Sequence, residues 1–324
     1  MELAPIVLFV YNRPQHTLRT LEALAKNELA ENSVLYIYAD GPKPNVDEES
    51  ILNIEETRRI LRLRQWCGKV HIIESNQNKG LADSIIEGVS ETVNKYGTVI
   101  VLEDDIVTAP FFLTYMNKAL QLYKNEEKVM HISAYVPVTT GGRKLPETFF
   151  LHLSNCWGWA TWKNSWSCFN SNTKDLLRDV SKKINMKEFT LDGNYDIYEQ
   201  LEKNYTGELN TWFVKWYSSI YLKQGLSLFP KKSLVSNIGF DGSGEHCISI
   251  DGRYDVDLGE SILLKPIKLN PSKYGWDYFR RFYKYGKDSS IERRIAFRIR
   301  KTHFFIFLRK LPIYKIYTRF RHNE

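Results

Sequence analysis

The stretch TVIVLEDDIVTAP, Thr98 to Pro110, runs from four apolar residues straight into three adjacent carboxylates, Glu103, Asp104 and Asp105. A short, continuous apolar run of this kind reads as a strand buried on both faces, as in a parallel sheet covered by helices. Carboxylates at the end of such a strand repel one another and lose hydration, so their presence there needs a reason. On a regular strand Glu103 and Asp105 share one side and Asp104 takes the other. A hard divalent cation such as Mg²⁺ or Mn²⁺ accepts oxygen donors, completes its shell with water and phosphate, and needs only one or two carboxylates. The bland reading is an exposed strand end that faces a helix N-terminus, with Thr108 as its cap and Pro110 in its first turn.

Three further runs share the pattern: APIVLFVYNR (Ala4 to Arg13), SVLYIYADG (Ser33 to Gly41) and KVHIIESN (Lys69 to Asn76). Helical spacing lies between them, over residues 16–29 with Leu18, Leu21, Leu24 and Ala25 on one face, and over 50–66 and 81–95. The alternation implies an α/β fold with a mostly parallel central sheet flanked by helices. Ligands in such sheets sit beyond the carboxyl ends of the strands. That is where Asn12-Arg13, Asp40-Gly41, Asn76 to Gly80 and Glu103 to Asp105 cluster.

From about residue 130 the rhythm changes. VMHISAYVP and ETFFLHLS read as strands, followed by the Trp-rich NCWGWATWKNSW, a helical NTWFVKWYSSIYLKQG and a Gly-rich NIGFDGSGEHC. Residues 1–128 and 129–264 are expected to form two halves of one domain, and residues 265–324 a basic helical tail.

With 324 residues, 43% hydrophobic and 14% aromatic, the chain can bury a sizeable core, which excludes wholesale disorder. Cys67, Cys156, Cys168 and Cys247 have no CxxC spacing, so no zinc knuckle or disulfide scaffold is indicated and a reducing cytoplasm fits. The apolar run near the start has no basic residues before it and ends at Asn12-Arg13-Pro14, which argues against a signal peptide. No window approaches the roughly 20 apolar residues of a membrane span. The net charge of +7 is uneven: residues 265–324 carry 17 Lys and Arg against 4 Asp and Glu, so the remainder is acidic.

Individually the motifs are ambiguous. Arg13 could meet a phosphate. Asp40-Gly41 could accept from a base or ribose, or simply turn the chain. Lys79 and Gly80 precede a helix start and could bind an anion, or form a solvated loop. His246 could contact a metal or a diphosphate. Trp157, Trp159, Trp162 and Trp166 could face sugar rings or fill a core. With no GxxxxGK[ST] and no GxGxxG after the first strand, P-loop and dinucleotide readings have no support.

The order of the motifs is more telling. APIVLFVYNRP, YIYADGP, VIVLEDDIVTAPFFLTYM, HISAYVP, FFLHLSNCWGWATW, NTWFVKW and PKKSLVSNIGFDGSGEHC together resemble the GT-A glycosyltransferases, in particular bacterial family 2-like proteins and N-acetylglucosaminyltransferase I, over residues 4–250. The resemblance implies a Rossmann-like GT-A domain that moves a sugar from a nucleotide sugar, expected to be a UDP-sugar, to a glycan or lipid-linked acceptor with inversion. It assigns Asp40 to the uracil edge, Asn12 and Arg13 to base and diphosphate, Glu103 and Asp104 to the ribose, and Asp105 to a Mn²⁺ or Mg²⁺ ion. Gly158-Trp159, with Trp157 beside it, matches a motif that walls the sugar and acceptor site, and the Gly-rich loop matches one that orders over the donor. Where N-acetylglucosaminyltransferase I has an acidic pair after a Trp, this chain reads Trp212-Phe213-Val214. The proton acceptor is therefore expected at Glu208 first, then Asp241 or Glu245. A sugar-nucleotide nucleotidyltransferase and a non-catalytic binding relative are the alternatives.

Residues 274–324 interleave Lys and Arg with Phe, Tyr and Ile. Beside a glycosyltransferase, such a tail reads as a peripheral anchor on the anionic inner face of a membrane rather than a nucleic-acid-binding arm. A helix docked on the domain by its aromatic residues is the plainer alternative.

Overall fold

The computed structural model describes residues 2–242 and 252–287. Glu245, His246, Cys247 and the tail beyond residue 287 lie outside the described residues. The strands are β1 (Ile6–Val10), β2 (Val34–Ala39), β3 (Lys69–Glu74), β4 (Thr98–Glu103), β5 (Ile106–Thr108), β6 (Val129–Ser133), β7 (Thr148–Leu151), β8 (Trp159–Trp162), β9 (Leu226–Pro230) and β10 (Val235–Asn237). Eight of them form one sheet in the order β3-β2-β1-β4-β8-β6-β9-β7, and β5 and β10 make a separate antiparallel pair.

The first half is as the apolar runs predict. β3, β2, β1 and β4 pair in parallel. Helices α1 (Pro14–Ala25), α2 (Glu48–Leu61) and α3 (Leu81–Tyr96) connect them. Burial follows the strand period of two: Ile6, Leu8 and Val10 pack into one core with Leu21, Leu24 and Ile60, whereas Val7 and Phe9 enter another with Ile85 and Val89. The second half departs from a parallel plan, because β8 is antiparallel to both β4 and β6, and β7 is antiparallel to β9. After β5 comes α4 (Phe112–Leu122). Thr108 does not cap it: Asn27, just past α1, accepts from the Leu113 amide at 3.0 Å and donates to Thr108 Oγ1.

Two expectations are corrected. Trp159 is fully buried, stacked on His131 and Trp212 and packed against Trp166 and Trp216. It fills the core on the side of α3 and cannot wall an acceptor site. Gly158 is also internal: its φ of +62° and the Val235 methyl group, 2.8 Å from where a β-carbon would sit, leave room only for glycine. Its residue type is set by packing of β8 against the β5–β10 pair.

The boundary expected at residue 264 is not a structural one. The helix Lys273–Tyr285 buries Tyr278 and Phe279 in the same cluster as Phe149, Leu151 and Phe229, and buries Phe282 against the Tyr254 ring. Leu264, Ile267 and Leu269 pack on the main core before it. The start of the basic tail is thus docked by its aromatic residues. Among the described residues, no helix is long and apolar enough to cross a membrane.

Replacing a buried Trp by Ala costs about 3–5 kcal/mol. Trp159→Ala should lower the free energy of urea unfolding by that amount, and a loss under 1 kcal/mol would contradict its core position.

Candidate active site

The site grows from the first turn of α1 and the end of β4. Arg13 occupies the N-cap position of α1 and Pro14 follows in its first turn. Helical spacing then sets His16 on the same face as Arg13. The chain leaves β4 at Glu103 and turns at Asp104-Asp105 before entering β5. The turn overrides the strand alternation expected for the three acids. Asp104 and Asp105 instead converge on the same Arg13 nitrogen, Nη1, at 3.8 and 2.9 Å.

A loop from the second half closes over this group. Ile238 donates its amide to the Asp105 carbonyl, and the amide of Gly239 donates to Asn237 Oδ1. A β-carbon on Gly239 would lie 2.1 Å from Asp105 Oδ2, so only glycine permits the backbone to pass there. Two residues on, Asp241 meets Arg13 Nη2 at 3.6 Å and His16 Nε2 at 3.0 Å. Its side chain is 48% exposed, against 14% for Arg13, 13% for Asp104 and 12% for Asp105, so Asp241 is the member of the cluster that solvent reaches.

Charge is unbalanced here. Burial, followed by the adjacent Asp105, pushes the Asp104 carboxyl up to about 7. Burial raises Asp105 too, although Arg13 and His16 oppose the rise. Glu103 is driven well above the carboxylate range by burial and by both aspartates. Burial and then the Arg13 charge lower His16, which is therefore neutral near pH 7. His16 was missed in the sequence; its signal was its place three residues after Arg13 on a helix opened by Pro14.

Among the described residues, no group of three His, Cys, Asp or Glu side chains is arranged to hold a metal ion. The donors that do converge are hard oxygens carrying more negative charge than Arg13 offsets. Such a set fits a Mg²⁺ or Mn²⁺ ion that takes its remaining ligands from phosphate and water.

Asp40 is engaged within the protein. Its carboxylate accepts the amides of Gly41 at 2.8 Å, Lys79 at 2.8 Å and Gly80 at 2.9 Å, which occupies both oxygens. The amides expected to bind a phosphate ahead of α3 are thus satisfied by an internal anion, and Lys79 Nζ is paired with Glu87. Asp40 thereby clasps the 76–80 loop. It also lines a cavity of about 290 Å³ together with Tyr38, Ile73, Asn76 and Lys79.

Other expected residues are distributed unevenly. Asn12 is half-buried next to Arg13. Trp157 is half-buried, edge-on to Tyr135, Phe240 and Tyr254, and so adjoins the loop that carries Asp241. Glu208 is exposed after the helix Ile197–Thr206 and accepts from Thr206 Oγ1. The structure does not bring it to the Arg13 cluster.

No family model matches the sequence, and no curated protein matches it. Solved structures similar to this chain include S. aureus TarS 1–349, with a TM-score of 0.38 and 12% identity over 72% of this chain and 60% of that one. The chain thus spans 60% of the length of that structure. A UDP-glucose pyrophosphorylase complexed with UDP-glucose is similar with a TM-score of 0.35 and 13% identity, over 70% of this chain and 90% of that one. The galactosyltransferase LgtC, in complex with donor and acceptor sugar analogs, has a TM-score of 0.33 and 9% identity, over 67% of this chain and 70% of that one.

The raised Asp104 has a consequence for stability. Its folded state binds a proton more tightly than the unfolded chain, so its contribution is full below about pH 4 and is lost as pH rises through about 7. Asp104→Asn should flatten the decline of the melting temperature between about pH 5 and 8. In buffer without divalent ions, the variant should melt above the parent at the alkaline end. An unchanged slope would remove Asp104 as the source of the strain.

Proposed function

We propose that the chain is a glycosyltransferase acting on a nucleotide sugar, with a Mg²⁺ or Mn²⁺ ion as cofactor. The observation that carries this reading is the convergence of Arg13, Asp104, Asp105, Asp241 and neutral His16 at the carboxyl edge of the parallel strands, under the 237–242 loop. That edge is where open α/β sheets take their ligands. A buried guanidinium among carboxylates suits a diphosphate ester better than a neutral substrate.

In this scheme Asp104 and Asp105 hold the cation, which when bound supplies Lewis-acid neutralisation of the leaving diphosphate. Arg13 meets the diphosphate directly, and Asn12 lies beside it. Asp241 accepts the proton of the acceptor hydroxyl as its oxygen attacks the anomeric carbon and the bond to the diphosphate breaks. His16, neutral and bonded to Asp241 and to the Ile238 backbone, orients that carboxylate. Trp157 offers an aromatic face near the transferred sugar. The cavity beside Asp40 receives the nucleobase by shape. A single displacement of this kind inverts the anomeric centre.

A thermal-shift screen of nucleotide sugars with and without Mn²⁺ should single out one donor, because ligand binding raises the apparent stability of the folded state. Asp105→Ala should abolish the Mn²⁺-dependent part of the shift. With that donor, Asp241→Asn should lower kcat by about 100-fold or more while Glu208→Gln stays near the parent value. The reverse ranking would return the proton acceptor to Glu208, and conversion of the donor with added pyrophosphate to a nucleoside triphosphate and a sugar 1-phosphate, in place of release of a nucleoside diphosphate, would identify a nucleotidyltransferase.

A further inference from the structure

A larger cavity, of about 840 Å³, lies beyond the catalytic cluster, and nothing in the scheme above uses it. Arg143, Lys144, Lys231 and Lys232 line it, opposed by Asp257. Lys231 is paired with Glu147 at 3.5 Å, while Arg143, Lys144 and Lys232 make no ion pair among the described residues. Its wall also includes Val138 and Leu258, which are 44% and 36% exposed. A site for a purely ionic ligand has no need of exposed apolar side chains, and a site for an apolar one has no need of four cations.

The wall is built rather than incidental. Tyr278, from the docked helix, donates to the Pro137 carbonyl at 2.9 Å and accepts the Thr139 amide at 3.0 Å, which pins the 137–139 segment. Arg281 of the same helix packs its guanidinium against Gly141 and over the rings of Tyr274 and Tyr278. Its buried Nε and Nη2 have no hydrogen-bond partner among the described residues. An additional positive charge therefore backs the basic rim.

The cavity is connected to the catalytic cluster by one strand. Ser233 lines it, and the chain continues through β10 to Gly239 over Asp105. Six residues span at most about 20 Å. Between the two lie the Trp157, Tyr135 and Phe240 rings, Tyr135 being adjacent to the lining residue Val136.

We infer that this cavity holds the phosphate-bearing end of an amphiphile, its phosphate against Arg143, Lys144 and Lys232 and its chain along Val138 and Leu258. Resting on the glycosyl-transfer reading, that amphiphile is the acceptor, with its hydroxyl end reaching Asp241 past Trp157. Charge complementarity selects the phosphate, and the apolar wall selects a ligand that is more than phosphate.

Binding to the full chain, measured by calorimetry below the micellar range, separates the sources. Dodecyl phosphate should bind more tightly than either inorganic phosphate or dodecyl maltoside, and Lys144→Glu with Lys232→Glu should weaken it by about tenfold or more. Both substituted residues are exposed, and an unchanged melting temperature will show that the fold persists. Equal binding of inorganic phosphate would reassign the cavity to a free anion. Equal binding of dodecyl maltoside, or indifference to the double substitution, would overturn the inference. Arg13→Ala should lose the nucleotide-sugar response and keep dodecyl phosphate binding. If the parent binds dodecyl phosphate but no nucleotide sugar, the catalytic reading fails and the cavity assignment stands.

Discussion

The contact between Arg13 and Asp105 organises the carboxyl edge of the parallel strands. It joins the turn after β1 to the turn after β4, and the 237–242 loop can only close over it because residue 239 is glycine. Removing the guanidinium would leave Asp104 and Asp105 buried together with no adjacent permanent cation, an arrangement that low local dielectric makes costly. Even with it, the carboxylates stay above their usual range. The edge is therefore held in a state that an incoming positive charge would relieve.

The two loops that flank this edge are secured by different means. The 76–80 loop is fixed by backbone amides that donate to Asp40. The 237–242 loop is fixed by the Ile238 amide on the Asp105 carbonyl and, at its outer end, by Asp241 on Arg13 and His16, partly exposed ionic contacts that screening weakens. Screening thus bears mainly on the exposed end of the 237–242 loop.

Much of the fold could be read in the sequence because parallel strands buried on both faces leave continuous apolar runs. Ile6 to Val10, Val34 to Ala39 and Val99 to Leu102 are such runs, and polar residues that follow two of them, Arg13 and Asp104-Asp105, do converge. The reading failed where context outweighed local pattern. Trp159 was expected to wall an acceptor site because Gly158-Trp159 matches the motif of the family the chain resembles, yet its neighbours His131, Trp212 and Trp216 come from distant parts of the chain. Asp40 was correctly placed at a strand end, but its partners Lys79 and Gly80 are some 40 residues away. The split of Asp104 from Asp105 by strand alternation failed because the strand ends one residue earlier, at Glu103. Helix Lys273–Tyr285 reads as basic by count, whereas its burial is decided by Tyr278, Phe279 and Phe282.

The Asp40 clasp has an implication for how a donor is selected. Because the 76–80 loop already has its anion, its conformational entropy is surrendered when the chain folds and not when a nucleotide arrives. On the glycosyl-transfer reading a nucleobase would meet a preformed surface of Tyr38, Ile73 and an Asp40 already engaged by backbone amides. Discrimination among bases of similar size would be shallow at this end of the site, and fidelity would fall to whatever recognises the sugar and the acceptor.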